Sequence, residues 1–304
     1  MVPNVLVSIL LQVVAPVILI AGAGYLFGWR TRAQIQPISR LAFYVLIPSL
    51  VFNSLSRLEW QGAGAQQMVV FALLSMTVQG VLAWLVARAL RLQPPLSNSF
   101  LLVAMFTNCG NFGLPLNLFA FGQAGMDRAL VFFVVNALLV NSVGVYIASR
   151  GRAGVRKALL NVLRTPLLWA GLAGFLVNLC GLALPEPVAK AVELAGQGAV
   201  PVMLLILGMQ LARISLNESR RAIAVATTLK LAVAPLLAIG LAAILGMQGL
   251  ARQVGIMEAS MPTAVTATIL ATEFDTAPRF AAGVVFVSTL LSLVSLTLLL
   301  GWLM

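Results

Sequence analysis

The sequence predicts an all-α membrane protein with ten transmembrane helices in two inverted five-helix repeats, in which the fourth and ninth helices are broken. Three observations support this prediction: the composition, ten long apolar stretches, and prolines that recur at a nearly constant spacing. The chain is 61% hydrophobic and 9% charged, whereas about 25% of the residues in a soluble domain are charged. One core could not bury this much apolar surface, so the chain is predicted to cross a bilayer several times.

Each predicted span is a largely uncharged stretch that can be compared with the roughly 20 residues needed to cross a bilayer. Five stretches are clear, three are weaker because they are shorter or carry a charge, and two contain internal Gly and Pro. The clear stretches are 4–28, 67–87, 129–149, 165–185 and 280–304; the weaker ones are 37–56, 194–212 and 222–247; the interrupted ones are 95–121 and 250–277.

The distribution of Lys and Arg predicts the orientation of the chain in the membrane. Fourteen of the 19 basic residues follow odd-numbered spans, four follow even-numbered spans, and Lys230 lies within a span. Because basic loops stay on the cytoplasmic side, both termini are predicted to lie outside. The expected location is the bacterial inner membrane.

Composition also argues against several classes of function. The net charge is +11, but it is divided among short loops rather than gathered on one face, so nucleic acid is not an expected partner. The chain has no histidine, the most common metal ligand and general base. It also has no phosphate-binding GxxxxGK[ST] pattern. We therefore expect no enzyme, no metal and no cofactor.

An internal repeat is suggested by the prolines within the spans. Pro16, Pro48 and Pro115 in the first half precede Pro166, Pro201 and Pro262 in the second half by 150, 153 and 147 residues. An odd number of spans in each repeat inverts the second copy, as in many secondary transporters. The predicted repeats are residues 1–152 and 153–304, joined at the basic cluster that begins at Arg150.

The fourth span is predicted to consist of two half-helices separated by an unwound stretch, TNCGNFGLP, at 107–115. Gly113 permits backbone conformations that other residues rarely adopt, and Pro115 is suited to begin the second half-helix. Asn108 and Asn111 are amides that need partners within the hydrocarbon. The carbonyl groups that end the first half-helix favour a cation, and the amides that begin the second favour an anion.

The ninth span repeats this pattern with a break at MPT, 261–263. Pro262 corresponds to Pro115, and Thr263 adds a hydroxyl near the start of the second half-helix. Glu258 lies about one helical turn before Pro262 and is a candidate for holding a proton or a metal cation. Interrupted segments at matching places in two repeats are the best sequence indication of a transporter site.

Lys230 and Glu258 are the ionisable residues well inside spans, and such residues are functional candidates. They are expected either to pair with each other across the eighth and ninth helices or, for Lys230, to extend toward the cytoplasmic surface. Lys230 and Asn141, an amide on the fifth span, are added to the candidate substrate ligands.

Four segments resemble the auxin efflux carrier family, in its bacterial malonate-transporter-like branch. FTNCGNFGLPL at 106–116 and EASMPTAVTATILATEF at 258–274 are similar to the two crossover motifs of that family. LAFYVLIPSLVFNSL at 41–55 and PVMLLILGMQLA at 201–212 are similar to its second and seventh helices. The resemblance covers essentially the whole chain, although the long cytoplasmic loop of the plant members is missing.

This resemblance implies transport of small organic anions, such as mono- or dicarboxylates, by an elevator-like motion. The substrate would bind where the broken helices cross, facing Asn108, Asn111, Pro115, Pro262 and Thr263. Bile acid:sodium symporters share this architecture, so a sodium-coupled symporter is one alternative, and an anion channel on the same fold is another. Coupling to protons, to sodium or to neither is left open, as is pairing into a homodimer.

Overall fold

The structure is a computed structural model that describes residues 2–57, 64–149, 160, 162–212 and 220–304. The regular structure of these residues is helical, apart from one isolated bridge between two backbone segments. The helices discussed below are α1 (Leu6–Thr31), α2 (Ile35–Arg57), α3 (Gly64–Ala89), α4 (Leu96–Met105), α5 (Cys109–Ala148), α6 (Pro166–Leu179), α7 (Glu186–Leu211), α8 (Arg220–Ile244), α9 (Gly249–Ala259), α10 (Val265–Glu273) and α11 (Pro278–Leu303).

Seven of the described helices are long and apolar enough to span a bilayer: α1, α2, α3, α5, α7, α8 and α11. Helices α4 and α6 are apolar but shorter. The chain is thus an all-helical membrane protein, while the count of ten spans and the inverted repeat stay predictions. The basic cluster from Arg150 to Lys157 and the predicted repeat boundary lie outside the described residues.

Helix α5 is much longer than a single span because it joins two predicted segments. Gly122 inside it has a φ of 65° and a ψ of −163°, a conformation that essentially only glycine adopts without strain. The fourth predicted span ends at Phe121 and the fifth begins at Ala129, so the kink falls in the interval between them. One glycine therefore changes the direction of the chain where the sequence predicts a loop.

Wide π-helical turns interrupt several of the described helices, and four of these turns precede a proline. Proline stands two residues after the turns Leu10–Val14, Ala42–Leu46, Cys109–Gly113 and Leu229–Val233. Proline lacks an N–H and its ring clashes with the carbonyl group one turn earlier. A wider turn at that place relieves the clash, so most of these prolines lie inside helices without ending them.

Helices α1, α2, α6 and α7 form one packed group in which backbones approach closely. Gly208 of α7 faces the backbone of Ala21 in α1, and Gly174 of α6 faces the backbone of Phe52 in α2. Small residues allow such contact between membrane helices, where apolar side chains gain little by leaving lipid. Helices α3, α4, α5, α8, α9, α10 and α11 make most of their contacts with one another and form a second group.

Candidate functional site

The two helix breaks meet inside the second group of helices. Helix α4 ends at Met105, and Phe106 is extended, with a φ of −93° and a ψ of 132°. Thr107 then pairs with Thr263 in an antiparallel bridge. The backbone amide of Asn108 donates to the Pro262 carbonyl group at 2.8 Å, and the backbone amide of Ala264 donates to the Phe106 carbonyl group at 3.1 Å. The interruptions in α4–α5 and α9–α10 are therefore joined directly by their backbones.

The first break is shorter than the sequence predicts. The predicted unwound stretch was 107–115, but the backbone leaves the helix only between Phe106 and Asn108 and resumes at Cys109 in a π turn. Both Phe112 and Gly113 donate their amides to the Asn108 carbonyl group. Pro115 lies in the first turn of the α-helical segment that follows the π turn, so it does not begin the second half-helix, which starts at Cys109. The second break, at 260–264, includes the predicted MPT segment.

The carbonyl groups at the end of α4 are bonded by residues from other helices. The Thr263 hydroxyl donates to the Val103 carbonyl group at 2.9 Å. The Lys230 ammonium group lies 3.4 Å from the Ala104 carbonyl oxygen and donates to it. These carbonyl groups have no partner within their own helix, and the positive Lys230 lies at the negative end of the α4 dipole.

The carbonyl end of α9 is bonded in a related way by Gln79 of α3. The Gln79 side-chain amide donates to the Ala259 carbonyl group at 3.5 Å, and its oxygen accepts from the Lys230 ammonium group at 2.8 Å. Gln79 and Lys230 are both buried. Sequence reasoning missed Gln79, although it follows the repeat: it precedes Lys230 by 151 residues, within the range of the proline offsets.

Glu258 is fully buried and is held by α5. One of its carboxylate oxygens, Oε1, accepts from the Asn117 side-chain amide at 2.7 Å, and the same amide donates to the Gly113 carbonyl group at 3.0 Å. The second oxygen, Oε2, has no hydrogen-bond partner in the described part of the chain. Asn117 follows Pro115 closely, but the sequence offers no reason to pair it with a residue so distant in the chain.

The expected direct pairing of Lys230 with Glu258 is wrong for this structure. The ion pairs among the described residues are Arg57–Glu193 and Lys190–Glu186, and Lys230 is bonded to Gln79 and Ala104 instead. Extension of Lys230 to the surface is also wrong, because its side chain is completely buried. Two charged residues of opposite sign thus lie near the same crossing, each with uncharged partners.

The remaining predicted ligands differ in how deeply they are buried and in their hydrogen-bond partners. Asn108, Pro115 and Pro262 are buried at or near the crossing, and the Asn108 side-chain nitrogen has no partner among the described residues. Asn111 is half-buried in the π turn. Asn141 lies in another π turn, Val140–Gly144, and donates to the Ala137 carbonyl group of its own helix at 2.8 Å. Asn141 is therefore satisfied locally.

Two cavities lie between the two groups of helices, at opposite ends of α2 and α7. One, of about 640 Å³, is lined by the beginning of α2, the end of α7, α10 and α11, including Gln36, Gln210 and Thr268. The other, of about 490 Å³, is lined by the end of α2, the first part of α7 and α5, including Asn53, Gln123 and Asp127. None of the predicted ligands of the substrate or of the cation lines either of these two cavities.

Comparison with known proteins gives matches along nearly the whole chain. A family model described as "Membrane transport protein" matches residues 9–157 and 150–300. An uncharacterized transporter of Methanothermobacter thermautotrophicus is 31% identical over 293 residues, covering 94% of this chain and 96% of that protein. An uncharacterized transporter of Methanocaldococcus jannaschii is 24% identical over 308 residues, covering 97% and 98%.

Proposed function

The chain belongs to the membrane transport protein family, and on that premise we propose that it is a secondary carrier of small organic anions such as mono- and dicarboxylates. The observation that carries this proposal is the backbone bridge between Thr107 and Thr263, which brings two helix breaks together. A transporter accounts for this arrangement better than an enzyme does. Broken helices in a membrane are tolerated where neighbouring groups or a cavity satisfy their backbones, and such places form transport sites.

The anion is proposed to bind at the helix starts that follow the two breaks. Helix α5 begins at Cys109 and helix α10 at Val265, and the free amides of a helix start favour negative charge. The proposed ligands are the residues at these starts and breaks, namely Asn108, Asn111, Gly113, Pro115, Pro262 and Thr263. The unpartnered nitrogen of Asn108 is available as a donor within the described residues. Asn141 is a weaker candidate ligand of the anion, because its side-chain amide is bonded within α5.

Alternating access is proposed to occur by an elevator-like motion of the second group of helices against the first. The close backbone packing of α1 with α7 and of α2 with α6 suits a rigid, stationary wall. The two cavities support this proposal because each lies between the groups, at opposite ends of α2. Enlarging one cavity while closing the other would expose the crossing to each side in turn.

The proposed architecture is ten helices in two inverted repeats, residues 1–152 and 153–304, with both termini outside the bacterial inner membrane. The bond between Gln79 and Lys230 supports the repeat, because each side chain reaches a carbonyl end belonging to the other half of the chain. Assembly into a homodimer stays a prediction.

Glu258 is proposed to couple transport to a cation, either a proton or sodium. It is fully buried next to the crossing, and its Oε2 has no partner among the described residues. An unpartnered carboxylate oxygen in such a place gains stability when it binds a proton or a cation. The bound proton or sodium ion would then neutralise the carboxylate when the substrate moves.

A counterflow experiment in proteoliposomes tests the proposed function. Labelled malonate is added outside vesicles that contain either unlabelled malonate or buffer alone. A carrier is expected to take up the label faster when malonate is present inside, whereas an anion channel gives no such acceleration. Repeating the measurement with other mono- and dicarboxylates defines the substrate class. A preparation that moves none of these anions would contradict the proposal.

A further inference from the structure

We propose that Lys230 is a built-in cation at the carbonyl end of α4, which fills a place that a sodium ion would otherwise be needed to occupy. This inference rests on the proposed function in one respect only, because it takes the crossing as the transport site. It identifies Lys230 as the charge at the crossing that belongs to the chain itself. Lys230 is then a positioning residue for the crossing rather than a direct ligand of the anion. Coupling is left to Glu258.

The ammonium group of Lys230 is held by two neutral oxygens. Its ammonium group lies 2.8 Å from the Gln79 side-chain oxygen and 3.4 Å from the Ala104 carbonyl oxygen. Neutral carbonyl and amide oxygens of this kind are typical ligands of hard cations in proteins. The side chain is completely buried, so the charge is stabilised by these oxygens rather than by water.

Lys230 differs from most buried lysines because none of the carboxylates that the structure describes pairs with it. No carboxylate of the described residues lies within 4.0 Å of its ammonium group. A buried charge without compensation is costly. The last turn of α4 supplies part of the compensation, since the carbonyl end of a helix carries a partial negative charge of about half an electron. The position of the ammonium group near the Ala104 carbonyl oxygen therefore stabilises both Lys230 and the carbonyl end of α4.

The backbone of α8 contributes to this placement. Lys230 lies in the π turn Leu229–Val233, which precedes Pro235. The wider turn relieves the clash of the proline ring with the carbonyl group one turn earlier. The local sequence therefore accounts for the interruption of α8 at Lys230.

Gln79 provides an internal comparison, because it serves the other half-helix without carrying a charge. It donates its amide to Ala259 at the end of α9, while Lys230 donates to Ala104 at the end of α4. The two carbonyl ends thus have equivalent partners, one neutral and one charged. Among the described residues, the chain therefore supplies an ammonium group to one end of the crossing and a neutral amide to the other.

Lys230→Ala is expected to convert this place into a site for a sodium ion. The substitution removes the ammonium group and leaves the oxygens of Gln79 and Ala104 facing an empty volume. Thermal unfolding of the purified protein is measured in sodium chloride and in choline chloride at equal ionic strength, without any transported anion. The variant is expected to melt at a lower temperature than wild type in choline, and sodium is expected to raise its Tm by several degrees.

Lys190→Ala is the matched control, because it removes the same charge from an exposed side chain that pairs with Glu186. It is expected to respond to sodium no more than wild type does. Adding Gln79→Leu to Lys230→Ala removes one of the two oxygens and is expected to abolish the sodium effect. Equal responses of Lys230→Ala and wild type to sodium would overturn the proposal.

A second measurement does not depend on the folding of the Ala variant. Saturable binding of radioactive sodium is expected to be absent from Glu258→Gln, which lacks the proposed coupling carboxylate, and present when Lys230→Ser is added to it, because the short side chain leaves the place of the ammonium group empty. Saturable sodium binding to Glu258→Gln with Lys230 intact would show that the place is not already filled, and would overturn the proposal. Both assays omit the anion, so their outcome is independent of whether the protein carries malonate.

Discussion

The Glu258 carboxylate lies directly against the α-carbon of Gly113. A methyl group added to Gly113 would lie 2.5 Å from Oε2 and 2.8 Å from Oε1 of Glu258. Asn117, one turn further along α5, holds Oε1 through a hydrogen bond. Helix α5 therefore fixes this carboxylate from two directions, by a contact that only glycine permits and by an amide donor.

Gly113→Ala is expected to force the Glu258 carboxylate away from Asn117 and so to alter coupling. The added methyl group occupies the space that the carboxylate fills, and a buried carboxylate that loses its donor is destabilised. Uptake of malonate driven by an imposed proton or sodium gradient should fall sharply. Gly22→Ala is the control, since nothing lies within 4 Å of the added methyl group. Gradient-driven uptake by Gly113→Ala at the wild-type rate would contradict this role for the contact.

Glu258→Gln is expected to abolish any dependence of transport on a cation gradient while leaving exchange of anions intact. The amide keeps a similar shape but cannot gain and lose a proton or neutralise a cation. Gradient-driven uptake and counterflow are measured on the same proteoliposomes. Glu186→Gln is the control because this carboxylate is exposed at the start of α7 and lines neither of the two cavities. Gradient-driven uptake that survives Glu258→Gln would show that the coupling residue lies elsewhere.

Thr263→Val is expected to destabilise the crossing and to impair transport. The valine side chain has almost the same shape, but it cannot donate to the Val103 carbonyl group. An unsatisfied buried carbonyl group costs about 1–3 kcal/mol, which thermal unfolding in detergent will detect. Thr77→Val removes a comparable hydroxyl from the exposed face of α3, where it bonds only within its own helix. Equal effects of the two substitutions on Tm and malonate uptake would argue against a special role for Thr263.

Gly208→Ala is expected to separate α1 from α7 and to lower stability. The methyl group would overlap the Ala21 carbonyl oxygen, and overpacking of this kind costs about 1–3 kcal/mol or more because a backbone must shift. Gly240→Ala lies in an equally apolar helix but has nothing within 4 Å, so its Tm should stay near that of wild type. A wild-type Tm for Gly208→Ala would mean that the two helices can move apart freely.

Much of the helical layout follows from the sequence because it depends on local properties. The length and polarity of apolar stretches predict the described spans, and the MPT segment marks a place where a regular helix cannot continue. The start of the second half-helix at Cys109 could not be predicted. Glycine and proline usually mark unwinding, and the sequence gives no sign that a π turn would accommodate Pro115 instead.

The partners at the crossing were harder to predict because they come from distant parts of the chain. Glu258 and Lys230 attract attention as charges in apolar segments, but opposite charge alone does not make them neighbours. Their actual partners, Asn117 and Gln79, are uncharged amides on other helices. The repeat offset could have indicated Gln79 as the counterpart of Lys230, whereas only the folded structure brings Asn117 to Glu258.

The two amide-to-carbonyl bonds beside Thr107 and Thr263 have a mechanical consequence. A shift of one loop by even a few ångströms would break both bonds at once unless the opposite loop travelled with it. Rupture would leave four backbone groups without partners where water is scarce, and each such group costs several kcal/mol in lipid. The two helix breaks therefore move together as one rigid unit, and any hinge must lie outside the two breaks.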